Sequence, residues 1–185
     1  MDKIGIVHGR FQVLHNEHMR YLLEGKKRCE HLIIGITNYT GNIIDSEISK
    51  IDTHRLATFA NPFTYFERME MIRAAMLEKG ISMKDFTIVP FPIERPDEIF
   101  NFVPMNSTFF LTIYDDWGRN KLERLMNLGV KTEVLWVCSE EEKFMSGTLI
   151  RALIKENKQW NTLVPVSVYN YIIENGLDKR IKNCI

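Results

Sequence analysis

Two histidines three residues apart, His15 and His18, follow a glycine-bearing turn, Gly9-Arg10-Phe11-Gln12, and that turn follows a β-branched run. Spacing of three puts both imidazoles on one side of a helix that begins at about that point. The free N–H groups and positive dipole end of such a helix attract anions. Arg10 adds a cation there, and Gly9 lets the backbone approach a phosphate closely. The opening therefore reads as a strand–turn–helix that holds a nucleotide by its polyphosphate. His8, at the end of the strand, reads as a core histidine.

A second element of this kind lies near the other end, Met145-Ser-Gly-Thr-Leu-Ile-Arg151. Ser146 or Thr148 can cap the helix that follows, and Gly147 keeps its first N–H groups accessible. Arg151, one turn in, can pair with phosphate oxygens. Alone, such a motif is only a cap. Together with the opening turn, both at carboxyl ends of strands in an open α/β sheet, it marks a ligand site.

The elements that must position these residues alternate. Ile4–His8 and Leu32–Thr37 are almost continuously apolar, as strands covered on both faces are. Thr87–Val89, Thr108–Tyr114 and Val134–Val137 read as further strands. Helices are expected over Glu17–Arg28, Thr64–Lys79, Gly118–Leu128, Thr148–Glu156 and Val166–Glu174. The stripe of the second of these is expected at Phe66, Met69, Ile72, Arg73 and Met76. Strand and helix in alternation predict a parallel sheet with helices on both sides. Two long irregular stretches interrupt the pattern. Residues 39–62 form an insertion, either a functional lid or a plain flexible loop, carrying His54 and Arg55. Phe91–Ser107, broken by Pro92, Pro96 and Pro104, is expected to line a cleft.

The chain's 185 residues suit one domain, and 24 basic against 24 acidic residues give no general attraction to nucleic acid or to a membrane surface. Three cysteines without metal-ligand spacing fit a reducing cytoplasm. No apolar run has the length of a membrane span, and the start reads as a strand rather than a signal peptide.

These motifs resemble the nucleotidyltransferase superfamily with a His-x-Gly-His signature near the start and an Ile-Ser-Ser/Gly-Thr-x-Ile-Arg signature near the end. Within it the chain looks most like the archaeal-type nicotinamide mononucleotide (NMN) adenylyltransferases. The matching residues are Gly9-Arg10-Phe11-Gln12, His15-x-x-His18, Asn61-Pro62-Phe63-Thr64 with Glu67-Arg68, Ser146-Gly147-Thr148-x-Ile150-Arg151, Trp160 and Leu163-Val164-Pro165. The resemblance implies a single Rossmann-like domain: a doubly wound, mainly parallel five-stranded sheet with helices on both faces, closed by C-terminal helices over 148–185. It implies attack by a substrate phosphate on the α-phosphate of a nucleoside triphosphate, with loss of pyrophosphate. On that pattern His18 contacts the α-phosphate and His15 holds the triphosphate. Arg10 and Arg151 bind the outer phosphates. Gly9, Phe11, Ser146, Gly147 and Thr148 complete the nucleotide side, while Asn61, Arg95 and Phe102 fall on the acceptor side. Mg²⁺ would travel on the triphosphate with no protein ligand set of its own. Relatives form oligomers, so a homo-oligomer is a family expectation.

Departures from the pattern bear on the acceptor. Glu17 stands at the family glycine, either turned outward or serving the other substrate. Phe102 and Arg95 occupy positions where the family has a tryptophan that stacks on nicotinamide and, seven residues earlier, an aspartate. Phe102 either stacks likewise or belongs to the core. Asp115 and Asp116 either open the next helix or bind a ribose or a metal. The expected reaction is NMN and ATP to nicotinamide adenine dinucleotide. Cytidylyl or adenylyl transfer to another phosphorylated small molecule is the alternative, and a nucleotide-binding regulator without turnover is the third reading.

Overall fold

Strand β1 runs from Asp2 to Gly9, β2 from Cys29 to Ile36, β3 from Phe86 to Pro90, β4 from Thr108 to Ile113 and β5 from Lys131 to Val137. They are seen in a computed structural model that describes residues 1–40, 58–114, 116–138 and 145–183. The strands form one sheet in the order β3-β2-β1-β4-β5, and every pairing is parallel. Helix α1 is Asn16–Lys27, α2 Tyr65–Glu78, α3 Asp116–Asn127, α4 Gly147–Lys155, α5 Val166–Glu174 and α6 Leu177–Asn183. The fold is the expected α/β architecture. His54, Arg55, Asp115 and Glu140–Lys143 lie outside the described residues. Among the described residues, no helix is long and apolar enough to cross a membrane.

The chain divides into two compact units. The first, Met1–Gly9, Met19–Thr37 and Ser82–Phe144, holds the whole sheet. Alternation along the strands supplies its two faces. Ile6, Ile33, Phe109 and Leu111 share one face with Phe91, Ile93, Ile99 and Val103 from the proline-broken stretch and Leu125 from α3. Val7, Leu32 and Phe110 face the other way, against α1. Gly25 permits that close approach: a Cβ there would meet Val7 Cγ1 at 2.7 Å.

Strand order reverses between β1 and β4, and there the ladder is short. Only Gly5 with Thr108 and Ile6 with Phe109 are paired. One step further Tyr21 takes over. Its hydroxyl donates to the Phe110 carbonyl at 2.6 Å and accepts the His8 N–H at 3.3 Å. The phenol thus satisfies two backbone groups of strands that have begun to part, and burial pushes its own pKa up.

His8 is a core residue, 4% exposed, its ring stacked on Phe91 with centroids 4.7 Å apart. Neither ring nitrogen has a hydrogen-bond partner among the described residues. Burial first, and the Lys121 cation second, hold its pKa well below the ordinary 6.5. The unfolded chain therefore takes up a proton below that value while the folded chain does not, so stability falls as pH drops through that range. The slope is at most about 1.4 kcal/mol per pH unit. His8→Phe is expected to keep the stack and remove that slope, a difference read from urea midpoints of both proteins at about pH 5 and about pH 8.

The second unit comprises Arg10–His18, Asn38–Ile81 and Met145–Ile185. In it α2 packs on α5, α4 on α6, and α5 on α6. Thr64 and Glu67 form a reciprocal capping box at the start of α2. The buried face of α2 differs from the expected stripe: Arg68, Met71, Ile72, Ala75 and Met76 turn inward, while Phe66 is 61% exposed and Arg73 is exposed. The expected stripe included the wrong arginine: Arg68, the largest fully buried side chain described, lies on the inner face where Arg73 was expected. Helix α6 was not expected. Gly176, at φ +65°, turns the chain into it, and Leu177 and Ile181 anchor it four residues apart.

Candidate functional site

Nine of the twelve sequence-expected site residues fall in the second unit: Arg10, Phe11, His15, His18, Asn61, Ser146, Gly147, Thr148 and Arg151. Gly9, Arg95 and Phe102 belong to the sheet unit.

His15 directly precedes α1, so it is the N-cap. Its Nδ1 accepts the backbone N–H of His18, the third helical residue, at 3.3 Å. An imidazole does here what a serine hydroxyl does at most helix starts. An accepting Nδ1 cannot carry a proton, so neutral His15 holds its proton on Nε2 and presents a donor. The two imidazoles stack with centroids 3.6 Å apart and planes 20° from parallel. Two positive rings at that distance would repel by about 4 kcal/mol at the effective dielectric of a protein surface. The His18 ring belongs to a half-buried residue. Phe11 meets that ring edge-on at 5.1 Å from the opposite direction. Phe11 was expected to touch nucleotide. Instead its side chain is buried, its backbone sits in the left-handed region at φ 54°, and it braces His18.

Helix α4 comes directly onto the same turn. Ser146 caps it, its hydroxyl accepting the Leu149 N–H at 3.1 Å. A Cβ on Gly147 would lie 2.1 Å from the Gln12 carbonyl oxygen and 2.8 Å from Val13 N. Only glycine lets the helix start seat against that backbone. Arg151, 6% exposed, donates through one terminal nitrogen to the same Gln12 carbonyl, and through the other to Thr148 Oγ1 at 3.1 Å. Burial lowers its pKa, yet a guanidinium stays charged. Arg151 thus meets the turn's backbone rather than projecting alone, and its fork retains further N–H donors for an anion.

Two residues of the site were not singled out as functional from sequence. Gln12 is its hub: the side-chain amide donates to the Phe63 carbonyl at 2.9 Å and accepts the Phe63 N–H at 3.0 Å. Arg68, 1% exposed, donates to the carbonyls of Arg10 at 2.9 Å, Asn38 at 2.8 Å and Thr64 at 3.2 Å. Its pKa falls to about 10, mainly from burial and then from the neighbouring Arg10 cation. The signal for both was their place in the family motifs; periodicity alone carries none. Asn61 is half-buried two residues before Phe63, and Glu17 is half-buried in the first turn of α1, where an acidic residue suits the dipole.

Two of the expected acceptor-side residues, Arg95 and Phe102, lie in the sheet unit. Arg95 is exposed and forms an ion pair with Glu98 at 2.7 Å. Phe102 packs against the apolar cluster of Phe91, Ile99 and Val103, so of its two readings the core is the one seen. Asp116 opens α3, exposed, 3.9 Å from Arg119. Among the described residues, no group of three or more His, Cys, Asp or Glu side chains is placed to hold a metal. Arginines, an imidazole donor and backbone N–H groups line the turn instead. Groups of these kinds can pair with phosphate oxygens.

Residues 6–153 match the family described as Cytidylyltransferase-like. A phosphonoformate cytidylyltransferase of Streptomyces viridochromogenes is 40% identical over 178 residues, covering 96% of this chain and 95% of the relative. A nicotinamide-nucleotide adenylyltransferase of Saccharolobus solfataricus is 30% identical over 184 residues, covering 98% and 96%. Among solved structures, a bifunctional NMN adenylyltransferase/ADP ribose pyrophosphatase from Francisella tularensis is similar over 98% of this chain, with TM-score 0.71 and 15% identity. The chain spans about half, 53%, of that structure's length, and the likeness speaks for the fold alone. With a match covering most of its length, the chain belongs to the cytidylyltransferase-like family and is a nucleotidyltransferase.

Proposed function

We propose that this enzyme transfers a nucleotidyl group, cytidylyl in first place, from a nucleoside triphosphate to a small phosphonate- or phosphate-bearing acceptor. An acceptor oxygen attacks the α-phosphorus, the bond to the β-phosphate's bridging oxygen breaks, and pyrophosphate leaves. Such a reaction needs alignment and charge stabilisation, not a protein nucleophile. His18 faces the charge that develops at the α-phosphate, and His15 holds the chain through Nε2–H. Arg10 and Arg151 take the outer phosphates. Mg²⁺ enters as part of the substrate, neutralising phosphate oxygens. The stacked pair at the start of α1, together with Arg151 held on the carbonyl of Gln12 from the preceding turn, is the observation that supports the chemistry.

The acceptor reading rests on likeness and on two side chains. Identity to the phosphonoformate enzyme is 40%, against 30% to the Saccharolobus adenylyltransferase. Phe102 packs in part against the core, and Arg95 replaces a carboxylate that an anionic acceptor would not favour. NMN and ATP form the second reading, favoured by matches of 28–32% to several nicotinamide-nucleotide adenylyltransferases over 96–98% of the chain. Pyrophosphate release, with each of CTP and ATP against phosphonoformate, related phosphonates and NMN, tests both. Turnover with CTP and a phosphonate is expected. Turnover confined to ATP and NMN would replace the first reading by the second.

A further inference from the structure

Helix α6 lies at the far end of the chain from the histidine turn, yet in the second unit its one arginine reaches the segment on which that turn rests. Arg180 forms a two-pronged pair with Glu67, at 2.7 and 2.8 Å, and donates to the Pro62 carbonyl at 3.1 Å. Burial alone would raise the Glu67 pKa, but the Arg180 guanidinium and the Thr64 N–H outweigh it and hold the carboxyl low. Glu67 is also half of the capping box, accepting the Thr64 N–H at 2.8 Å. Between these anchors sits Pro62-Phe63-Thr64. Phe63 is the residue to which Gln12 is bonded in both directions, and Thr64 gives its carbonyl to Arg68, which holds the Arg10 carbonyl.

We propose that Arg180 and Arg68 are positioning residues, a relay by which the C-terminal helix sets the shape of the turn carrying Arg10 and Gln12, and so the affinity for a triphosphate. The inference rests on the nucleotidyl-transfer reading. Neither guanidinium need touch the nucleotide. Each fixes backbone carbonyls whose directions decide where Arg10 and the Gln12–Arg151 contact lie. Arg68 suits this because a planar fork reaches three carbonyls from one buried point, which a lysine ammonium on a flexible stem cannot do.

Three variants test it. Arg180→Met removes a half-exposed pair and is expected to fold as before. It should raise KM for the nucleoside triphosphate roughly tenfold with kcat changed less than about twofold, since the ion pair to Glu67 supports ground and transition state alike. Arg180→Lys should recover part of that affinity, and the rise in KM should be larger in Arg68→Lys than in Arg180→Met. Hydrogen exchange without nucleotide gives a second readout: amides of residues 10–14 should exchange faster in Arg180→Met and Arg68→Lys. Unchanged exchange and unchanged KM in Arg180→Met overturn the relay. A lowered melting temperature with unaltered KM also overturns it, leaving a merely structural pair. Wild-type protein that binds no triphosphate by calorimetry counts against the nucleotidyl-transfer reading, while the exchange data still decide the relay.

Discussion

Replacing His18 with alanine should lower kcat by about a hundred- to a thousand-fold while leaving KM for the triphosphate within a few-fold, as loss of one donor aimed at developing charge does. The Nδ1 of His15 accepts the N–H of His18, so His15 serves as the helix cap, and His18 is the ring assigned to the α-phosphate. The ring lies between His15 and Phe11 and is partly exposed, so its removal leaves the helix start capped and the turn in place. His15→Ala should behave otherwise. It removes a phosphate donor together with the cap of α1, so KM rises and the melting temperature falls together. Loss of such a cap costs about 1 kcal/mol. Steady-state kinetics and thermal unfolding of the two variants separate these roles. A His18→Ala enzyme retaining near wild-type kcat would falsify the assignment of the α-phosphate to that ring.

Gly147→Ala should be the most damaging single methyl in the protein. The new Cβ would lie 2.1 Å from Gln12 O and 2.7 Å from Gln12 C, both backbone atoms that cannot swing away. Either α4 retreats or the turn deforms. In each case the contact of Arg151 with the Gln12 carbonyl and the cap at Ser146 are disturbed with it. Overpacking of this severity costs about 3 kcal/mol, the upper end of the usual range. The same displacement should weaken triphosphate binding at least about tenfold, because donors misplaced by an ångström lose most of their value. Urea unfolding and calorimetric titration with CTP or ATP measure both effects. Ala152→Ser on the exposed side of the same helix is the control, expected within about 0.5 kcal/mol of wild type. Equal stability and affinity in Gly147→Ala would show that α4 does not need to seat on the Gln12 backbone.

Much of this arrangement could be read from residue order, for identifiable reasons. The strands are β-branched runs whose period leaves little choice, and each observed strand overlaps the expected one, with β2 beginning three residues earlier than expected. Thr64 and Glu67 three residues apart, and Ser146 ahead of an apolar run, mark helix starts because caps act locally. What was missed depends on distant groups. Arg68 looks like a surface residue until carbonyls from three separate segments surround it. Phe11 sits in a motif associated with nucleotide, yet its left-handed backbone turns the ring inward. Gln12 has no spacing that announces a hub; its importance lies in Phe63, fifty-one residues on. Helix α6 escaped because seven mostly charged residues with two apolar anchors have too short a period to detect. Motif positions marked which residues gather around the Gln12 turn, and tertiary hydrogen bonds decided which of them are buried and hold the backbone of the others still.

The phenol of Tyr21 carries one more consequence. Elsewhere in the sheet, neighbouring strands are joined by main-chain bonds that any sequence would make. At the reversal point, past the short ladder, a side chain does the joining. The join between β1 and β4 at that point therefore rests on a single codon, whereas the other strand pairs would survive any change of side chain that keeps the backbone extended.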